Sequence, residues 1–281
     1  MTCPSVIVRR RSPPADQRNH TLDGIRGVAA LIVFVSHCFQ YNGIAVPLHP
    51  ATYAVWTFFA LSGCVLTASY RGQYLTFLAR RFVRLWPLYA VCLTAGVLLS
   101  GIVPHWTHWL WWPMLDANAP DAIDPPAWSL HVEWWAMVFM PLIVLARRGL
   151  AVMVVLAAAC LPLMLILSPW FFFGPFFLFG AWASQFEIRM RVFETPVTEW
   201  LGRISYPLYL SHAIVLDDFG LPIWAGIPVA ILVAQLLTWT VERWSVAASR
   251  WVGRVIQPER WLRLQMPVRS PNQGRRASES V

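Results

Sequence analysis

The stretch LDGIRGVAALIVFVSHCFQ, residues 22–40, decides the class of this protein. It is close to the roughly 20 mainly apolar residues with which an α-helix crosses the hydrocarbon core of a bilayer. Further apolar stretches follow, so that the chain of 281 residues is 57% hydrophobic and has a mean hydropathy of +0.52. Only 13% of the residues are charged, about half the share of a soluble domain. The sequence therefore predicts an all-α, polytopic transmembrane helical bundle and excludes a disordered protein.

Hydropathy divides this bundle into about eight spans, which we place at residues 24–41, 51–69, 82–103, 127–145, 150–168, 170–187, 204–219 and 222–241. Because so few residues connect the fifth span to the sixth, this pair can also form a re-entrant hairpin. Three regions are expected: an N-terminal segment at 1–21, the transmembrane domain at 22–243, and a tail at 244–281. The tail begins as a basic amphipathic helix suited to an anionic membrane surface and ends in a polar stretch predicted to be disordered.

The basic residues indicate how the bundle lies in the membrane. All 22 are arginine, and every connection that carries one falls on the same side of an eight-span bundle. Loops enriched in basic residues are cytoplasmic. The sequence thus predicts a multi-pass protein of the inner (plasma) membrane with both termini in the cytoplasm and residues 104–126 outside. The absence of lysine excludes a Schiff-base lysine, and the spread of the basic residues over loops argues against nucleic acid as a partner.

The sequence indicates neither a metal site nor a disulfide. Four of the five cysteines lie in apolar stretches and none forms a Cys-X-X-Cys pair, so we interpret them as small buried hydrophobic residues. His105 and His108 are spaced like metal ligands, but no third ligand is nearby. Their tryptophan-rich surroundings are typical of the membrane interface. We therefore expect no metal ion.

Ionisable residues inside the first span are candidates for function because they are costly in a bilayer. The 11 residues from Arg26 to His37 turn a helix by about 1100°, which is 20° beyond three full turns, and advance it by about 16 Å. The two side chains therefore share one face, with Arg26 at the cytoplasmic end and His37 deep in the membrane. A neutral histidine is a natural general base for a hydroxyl. The alternative is a structural hydrogen bond to a neighbouring helix, and Asp23 is expected to cap the helix or pair with Arg26.

A cluster of arginines lies at the inner end of the third span. Arg80, Arg81 and Arg84 present guanidinium groups that can bind phosphates with two parallel hydrogen bonds. The alternative is that they only mark the cytoplasmic side.

Span four carries a second polar face. Ser129 and Glu133 are four residues apart and share it. Glu133 could bind a substrate, pair with an arginine, polarise His37 or form a hydrogen bond between helices, because a lone buried carboxylate needs a partner. Trp128 could stack on a sugar ring or anchor the chain at the membrane interface.

Span seven carries a third such face. Ser205, Tyr209 and His212 lie at helical spacing along it, and His212 is a second candidate for proton transfer or a structural hydrogen bond. In span two, Ala60, Ser62 and Gly63 are small enough to predict close helix packing.

Five sequence blocks resemble the acyltransferase-3 family of membrane proteins in the expected order. They are LDGIRGVAALIVFVSH, FFALSGCVLT, RRFVRLWPLY, PAWSLHVEWW and ISYPLYLSH. Arg26 and His37 match the Arg-X10-His signature of the family. The resemblance implies transfer of an acyl group, often acetyl, from cytoplasmic acyl-CoA to a hydroxyl of a carbohydrate or related acceptor, with no tightly bound cofactor. It makes Arg26, His37 and Glu133 candidate catalytic residues.

The resemblance extends to the binding residues. Phosphates of acyl-CoA would lie near Arg80, Arg81 and Arg84, and Trp128, Ser129, Ser205, Tyr209 and His212 become candidates for binding the acceptor. The family usually has about ten spans, more than are predicted here. Two alternatives stay open on this ground: a transporter or flippase, and a catalytically silent relative. His37 could act as a base or carry the acyl group itself.

Overall fold

Most of the described chain is helical in the structure, a computed structural model that describes residues 6–10, 19–101, 125–217 and 221–256. The α-helices are α1 (His20–Tyr41), α2 (Pro50–Ser69), α3 (Tyr74–Ser100), α4 (Trp128–Val138), α5 (Met140–Ile143), α6 (Leu150–Ile166), α7 (Gly174–Ala183), α8 (Pro196–Asp217), α9 (Ile223–Leu237) and α10 (Arg243–Ile256). Short 3₁₀ turns precede α4 and α7, and a π-helical turn, Thr238–Glu242, joins α9 to α10 without a break. The described residues also contain two short strands, β1 (Val6–Arg10) and β2 (Phe186–Met190).

The structure confirms the predicted fold class, a helical bundle with apolar helices that can span a membrane. In the described part of the chain, four helices are long and apolar enough to cross a bilayer: α1, α2, α3 and the continuous helix from Ile223 to Ile256. A fifth span is added if α4 and the bent segment Met140–Arg148 count as one, and α6 and the segment Pro169–Ala183 are shorter apolar helices. The number of eight spans stays a prediction. Residues 104–124, most of the predicted outer loop, lie outside the described residues, as do His105 and His108.

Several helix ends differ from the predicted ones. α3 begins at Tyr74 rather than at residue 82, so Arg80, Arg81 and Arg84 lie within the helix and not at its start. α8 begins at Pro196 rather than at 204, because proline is pre-organised for the first turn of a helix. The helix of the eighth predicted span does not end at 241: it continues to Ile256, and Glu242 pairs with Arg84 inside the bundle.

The fourth span is bent rather than straight. α4 and the following segment meet at an angle of 68° beside Phe139. Pro141 lies in the first turn after the bend. Because proline has no N–H and clashes with the preceding turn, it interrupts the helical hydrogen bonds there.

The two strands are not predicted from the sequence. β1 pairs with β2 antiparallel, with Val6 opposite Met190 and Arg10 opposite Phe186. The short run Val6–Val8 consists of β-branched residues, which favour a strand but do not identify its partner. Its partner strand lies near the other end of the transmembrane domain, and local sequence patterns do not identify so distant a pairing.

Glycines allow the helices around the candidate site to approach closely. A Cβ at Gly202 of α8 would overlap the carbonyl oxygen of Asp23 in α1. A Cβ at Gly63 of α2 would overlap the carbonyl oxygen of Phe177 in α7, which confirms the close packing predicted for this part of span two. The contact of α1 with α8 brings together the polar face of α1, which carries Arg26 and His37, and the polar face of α8, which carries Ser205 and His212.

Candidate functional site

A cavity of about 160 Å³ lies between α1, α2, α3, α4, α8 and the π-helical turn. Its polar lining consists of Arg26, Ser62, Arg81, Arg84, Ser129, Glu133, Ser205, Tyr206, Tyr209 and Glu242. The remaining wall is mainly apolar and aromatic. Most of the polar residues that the sequence identifies as candidates therefore line this one cavity, although they come from five helices. Four candidates are not part of its lining: Arg80, Trp128, His37 and His212.

Arg26 is held in place by α1 and α8 together. Its Nη2 donates to Oδ1 of Asp23 at 2.7 Å and to the carbonyl oxygen of Gly202 at 3.2 Å, and its Nε donates to Oγ of Ser205 at 3.1 Å. The expected pair between Asp23 and Arg26 is thus present. These three hydrogen bonds fix the guanidinium of Arg26 at the cavity wall, and the carboxylate of Asp23 offsets its charge.

Arg84 is also paired with a carboxylate. Its Nη2 forms an ion pair with Oε1 of Glu242, and its Nη1 donates to Oγ of Ser245 at 3.3 Å. The guanidinium carbon lies 5.9 Å from the centre of the Tyr206 ring. Glu242 and Tyr206 are not identified from the sequence, although a glutamate at the end of an apolar span is a possible partner for the arginine cluster.

Arg81 differs from these two arginines. Its Nη2 donates to Oγ of Ser69 at 3.0 Å, and its guanidinium carbon lies 5.8 Å from the centre of the Phe77 ring. No carboxylate forms an ion pair with it among the residues that the structure describes. Arg81 is therefore the cavity arginine whose charge is least compensated by direct contact.

Arg80 lies one helical turn before Arg84 in α3 but does not line the cavity. A Cβ at Gly253 of α10 would be 3.0 Å from Cδ of Arg80, so the arginine stem packs against α10. Its Nε is buried there. Of the three arginines that the sequence groups together, Arg81 and Arg84 thus line the cavity and Arg80 does not.

Glu133 connects α4 to α2. Its Oε1 accepts a hydrogen bond from Oγ of Ser62 at 2.8 Å, which is the bond between helices foreseen among the alternatives. Ser129, one turn earlier, donates to the carbonyl oxygen of Pro126 at 3.1 Å. Both Ser129 and Glu133 line the cavity, as their shared helix face predicts. Trp128 instead stacks on Trp170, with 5.8 Å between the ring centres.

The two histidines meet outside the cavity lining. Nδ1 of His37 lies 2.8 Å from Nε2 of His212, and the rings are stacked with their centres 5.0 Å apart. Nδ1 of His212 lies 3.0 Å from the carbonyl oxygen of Leu208. His212 is fully buried, whereas His37 is only partly buried. Nothing in the sequence predicts that its two candidates for proton transfer are hydrogen-bonded to each other.

The segment from α1 to β2 resembles known proteins. A family model described as an acyltransferase domain matches residues 19–193. The chain is 34% identical to the acyltransferase MdmB of Streptomyces mycarofaciens, over 46% of this chain and 40% of that protein. It is 44% identical to protein 2 in the picA locus of Rhizobium radiobacter, over 30% of this chain and 45% of that protein. The chain thus spans less than half the length of these relatives, and no solved structure matches it significantly.

Proposed function

The chain belongs to the acyltransferase-3 family of membrane proteins, and we propose that it moves an acyl group, acetyl in the simplest case, from cytoplasmic acyl-CoA to a hydroxyl of a carbohydrate or lipid-linked glycan. The observation that carries this proposal is the arginine-lined cavity. Coenzyme A bears a pyrophosphate and a 3′-phosphate, and guanidinium groups bind phosphates with paired, charge-assisted hydrogen bonds.

Arg81 is the principal phosphate ligand in this proposal. Its charge faces the cavity without a carboxylate ion pair in the described residues, so a phosphate can bind it without displacing one. Arg84 is a second phosphate ligand. The phosphate either displaces the carboxylate of Glu242 from the Arg84 guanidinium or binds this guanidinium together with it. Arg80 packs against α10 and has no part in binding the donor.

The apolar part of the same wall suits the rest of the donor. Phe58, Phe59 and Leu85 line the cavity beside the arginines and would contact the pantetheine arm. Along α1, His37 lies about 16 Å beyond Arg26. An extended pantetheine arm running along this helix would bring the thioester towards His37.

His37 is the proposed base. Its ring removes the proton of the acceptor hydroxyl as that oxygen attacks the carbonyl carbon of the thioester. The new C–O bond forms, the C–S bond breaks, and the thiolate of coenzyme A takes the proton back from the imidazolium. His37 is thereby returned to its neutral form, and the products are the acylated acceptor and free coenzyme A. General base catalysis of this kind contributes roughly 10²–10⁴-fold to a rate.

Two pairs of polar residues have supporting roles. Glu133 and Ser62 form a hydrogen-bonded pair in the cavity wall, where they can bind the amide groups of the donor. Ser205 and Arg26 bridge α1 and α8, and this bridge holds the face of α1 that carries His37.

The same proposal fixes the orientation in the membrane. The segments before α1 and after α9 lie on the cytoplasmic side, where acyl-CoA is available. α10 has exposed Trp244 and Trp251, and Arg243, Arg250 and Arg254 accompany them along the helix. A helix of this composition lies at an anionic membrane surface.

The test is transfer by the purified protein in lipid nanodiscs. Acetyl-CoA labelled in the acetyl group is supplied with candidate glycans, and both free coenzyme A and labelled acceptor are measured. We expect the two products in equal amounts. If neither forms with any donor, the chain does not catalyse this reaction. If the protein in sealed vesicles instead carries labelled acetyl-CoA across the bilayer unchanged, it is a transporter.

A further inference from the structure

His37 and His212 form an asymmetric pair. One nitrogen of each ring takes part in the 2.8 Å contact, and the second nitrogen of His212 lies 3.0 Å from the carbonyl oxygen of Leu208. Both nitrogens of His212 are therefore engaged. His37 keeps its Nε2 uncommitted to a protein group in the described part of the chain, and its ring is the more exposed of the two.

The direction of these hydrogen bonds follows from the carbonyl group of Leu208. A carbonyl oxygen can only accept, so Nδ1 of His212 carries a proton and donates it. His212 is fully buried, and no carboxylate contacts it among the described residues, so burial favours its neutral form. In a neutral ring protonated at Nδ1, Nε2 is an acceptor. It therefore accepts from Nδ1–H of His37, and the lone pair of His37 is left on Nε2.

We propose that His212 is a positioning residue that fixes the tautomer of His37, so that Nε2 of His37 is the atom that receives the proton of the acceptor hydroxyl. This proposal rests on the proposed function for the reaction itself. His212 performs the task that a carboxylate or carbonyl performs for many histidines whose other nitrogen must remain available.

The packing around the pair supports a fixed geometry. The ring of His212 meets Phe34 edge-on, with the centres 6.0 Å apart, and lies 6.1 Å from the ring of Tyr209. Tyr41 meets the His37 ring at 6.3 Å and nearly at right angles. Since α1 and α8 approach closely through their glycines, the backbones that carry the two histidines are held together as well.

The same arrangement separates the roles of the two histidines. A proton from a substrate cannot go to His212 directly, because its Nδ1 already carries one and its Nε2 faces His37. When His37 becomes an imidazolium, it still donates through Nδ1 to His212. The pair therefore needs no tautomer change during the proton transfer, and only Nε2 of His37 changes its protonation.

The direct test is the tautomer of His37 in the full-length protein in nanodiscs, without any substrate. Nitrogen NMR of protein labelled in the histidine rings distinguishes protonated from unprotonated nitrogens, and spectra of His37→Gln and His212→Gln assign the two rings. We expect both rings to be neutral and protonated at Nδ1. A His37 ring protonated at Nε2 would overturn the proposal.

Activity of two variants completes the test. Glutamine at 212 places an amide oxygen where it can accept from His37, whereas leucine is similar in size and accepts nothing. We expect His212→Leu to lower the transfer rate by roughly 10²–10⁴-fold, as loss of a positioned base does, and His212→Gln to remain much closer to the wild type. A glutamine variant as inactive as the leucine variant would overturn the positioning role and indicate that His212 itself takes a proton.

The NMR result, unlike the transfer rates, does not depend on whether the reaction has been identified correctly. If the wild type transfers no acyl group, the proposed function fails while the NMR measurement still decides the tautomer. If the wild type is active but His37 shows the other tautomer, only the inference about His212 fails.

Discussion

Glu242 forms an ion pair with Arg84 at the wall of the cavity, although 158 residues separate them along the chain. One member comes from the arginine cluster of α3 and the other from the π-helical turn after α9. The carboxylate of Glu242 is therefore bound to the Arg84 guanidinium, to which a phosphate of the donor would bind. It can compete with the donor, and this makes Glu242 the residue whose removal is most informative about binding.

Glu242→Gln removes this competition but keeps the size of the side chain. We expect acetyl-CoA to bind more tightly, by up to roughly tenfold, because a hydrogen bond to a charged group is worth about 1.5–3 kcal/mol and only part of it is gained. Calorimetric titration of the nanodisc-embedded protein measures this. Glu199→Gln is the control, since Glu199 pairs with His20 at 2.8 Å outside the cavity lining. Weaker binding by Glu242→Gln would mean that Glu242 holds Arg84 in its binding position.

Arg81→Ala and Arg80→Ala form a matched pair of neighbours with different surroundings. We expect Arg81→Ala to raise the acetyl-CoA concentration needed for half-maximal rate by roughly 10- to 150-fold, the equivalent of about 1.5–3 kcal/mol. Arg80→Ala should leave that concentration nearly unchanged, because its stem packs against α10. Acetyl-dephospho-CoA, which lacks the 3′-phosphate, tests the contact further: if Arg81 binds that phosphate, the alanine variant no longer discriminates between the two donors. If both substitutions change this concentration equally, neither arginine binds the donor specifically, and both only indicate the cytoplasmic side of the membrane.

His37→Gln separates chemistry from packing. Glutamine keeps hydrogen-bonding groups and similar length but does not accept a proton at neutral pH. We expect a loss of transfer of at least roughly 10²–10⁴-fold, as large as that of His37→Ala, with little change in the melting temperature. Rates and thermal unfolding are measured on the same preparations. Substantial transfer by the glutamine variant would remove His37 as the base and direct attention to His212.

The orientation in the membrane is tested by labelling. In a variant from which the native cysteines are removed, a cysteine is placed at Asn118 in the predicted outer loop. We expect a membrane-impermeant thiol reagent to label it in intact cells, because the arginine-bearing connections are expected to be cytoplasmic. A cysteine at Ser278 in the predicted cytoplasmic tail is the counterpart and should react only after the membrane is opened. The reverse pattern would invert the topology.

Much of the site could be predicted because its parts follow local rules. The spacing of Ser129 and Glu133 predicts that both face the same space, and they do. Asp23 and Arg26 are one helical turn apart and form the expected pair. These are statements about one helix at a time, and the period of 3.6 residues is enough to make them.

The remaining features depend on contacts between distant segments. Arg80 and Arg81 are adjacent in sequence and both basic, yet one faces α10 and the other the cavity, and only the packing of α3 decides between them. The bond between His37 and His212 needs the close approach of α1 to α8, which depends on glycines in both helices. The pairing of Glu242 with Arg84 is not predicted, because a charged residue usually indicates the end of a membrane span. A charged residue with a buried partner does not require the helix to end.

The π-helical turn Thr238–Glu242 determines which side of α10 faces the bundle. In an uninterrupted α-helix, the 11 residues from Ala234 to Ser245 would make about three turns and put both on one side. The extra residue of a π turn changes this by about 100°. The half that carries Ala234 therefore packs on α8, and the half that carries Ser245 packs on α3 and reaches Arg84. Deletion of a single residue from this turn would restore regular helix and still keep Ser245 facing α3, because the π turn accommodates one extra residue.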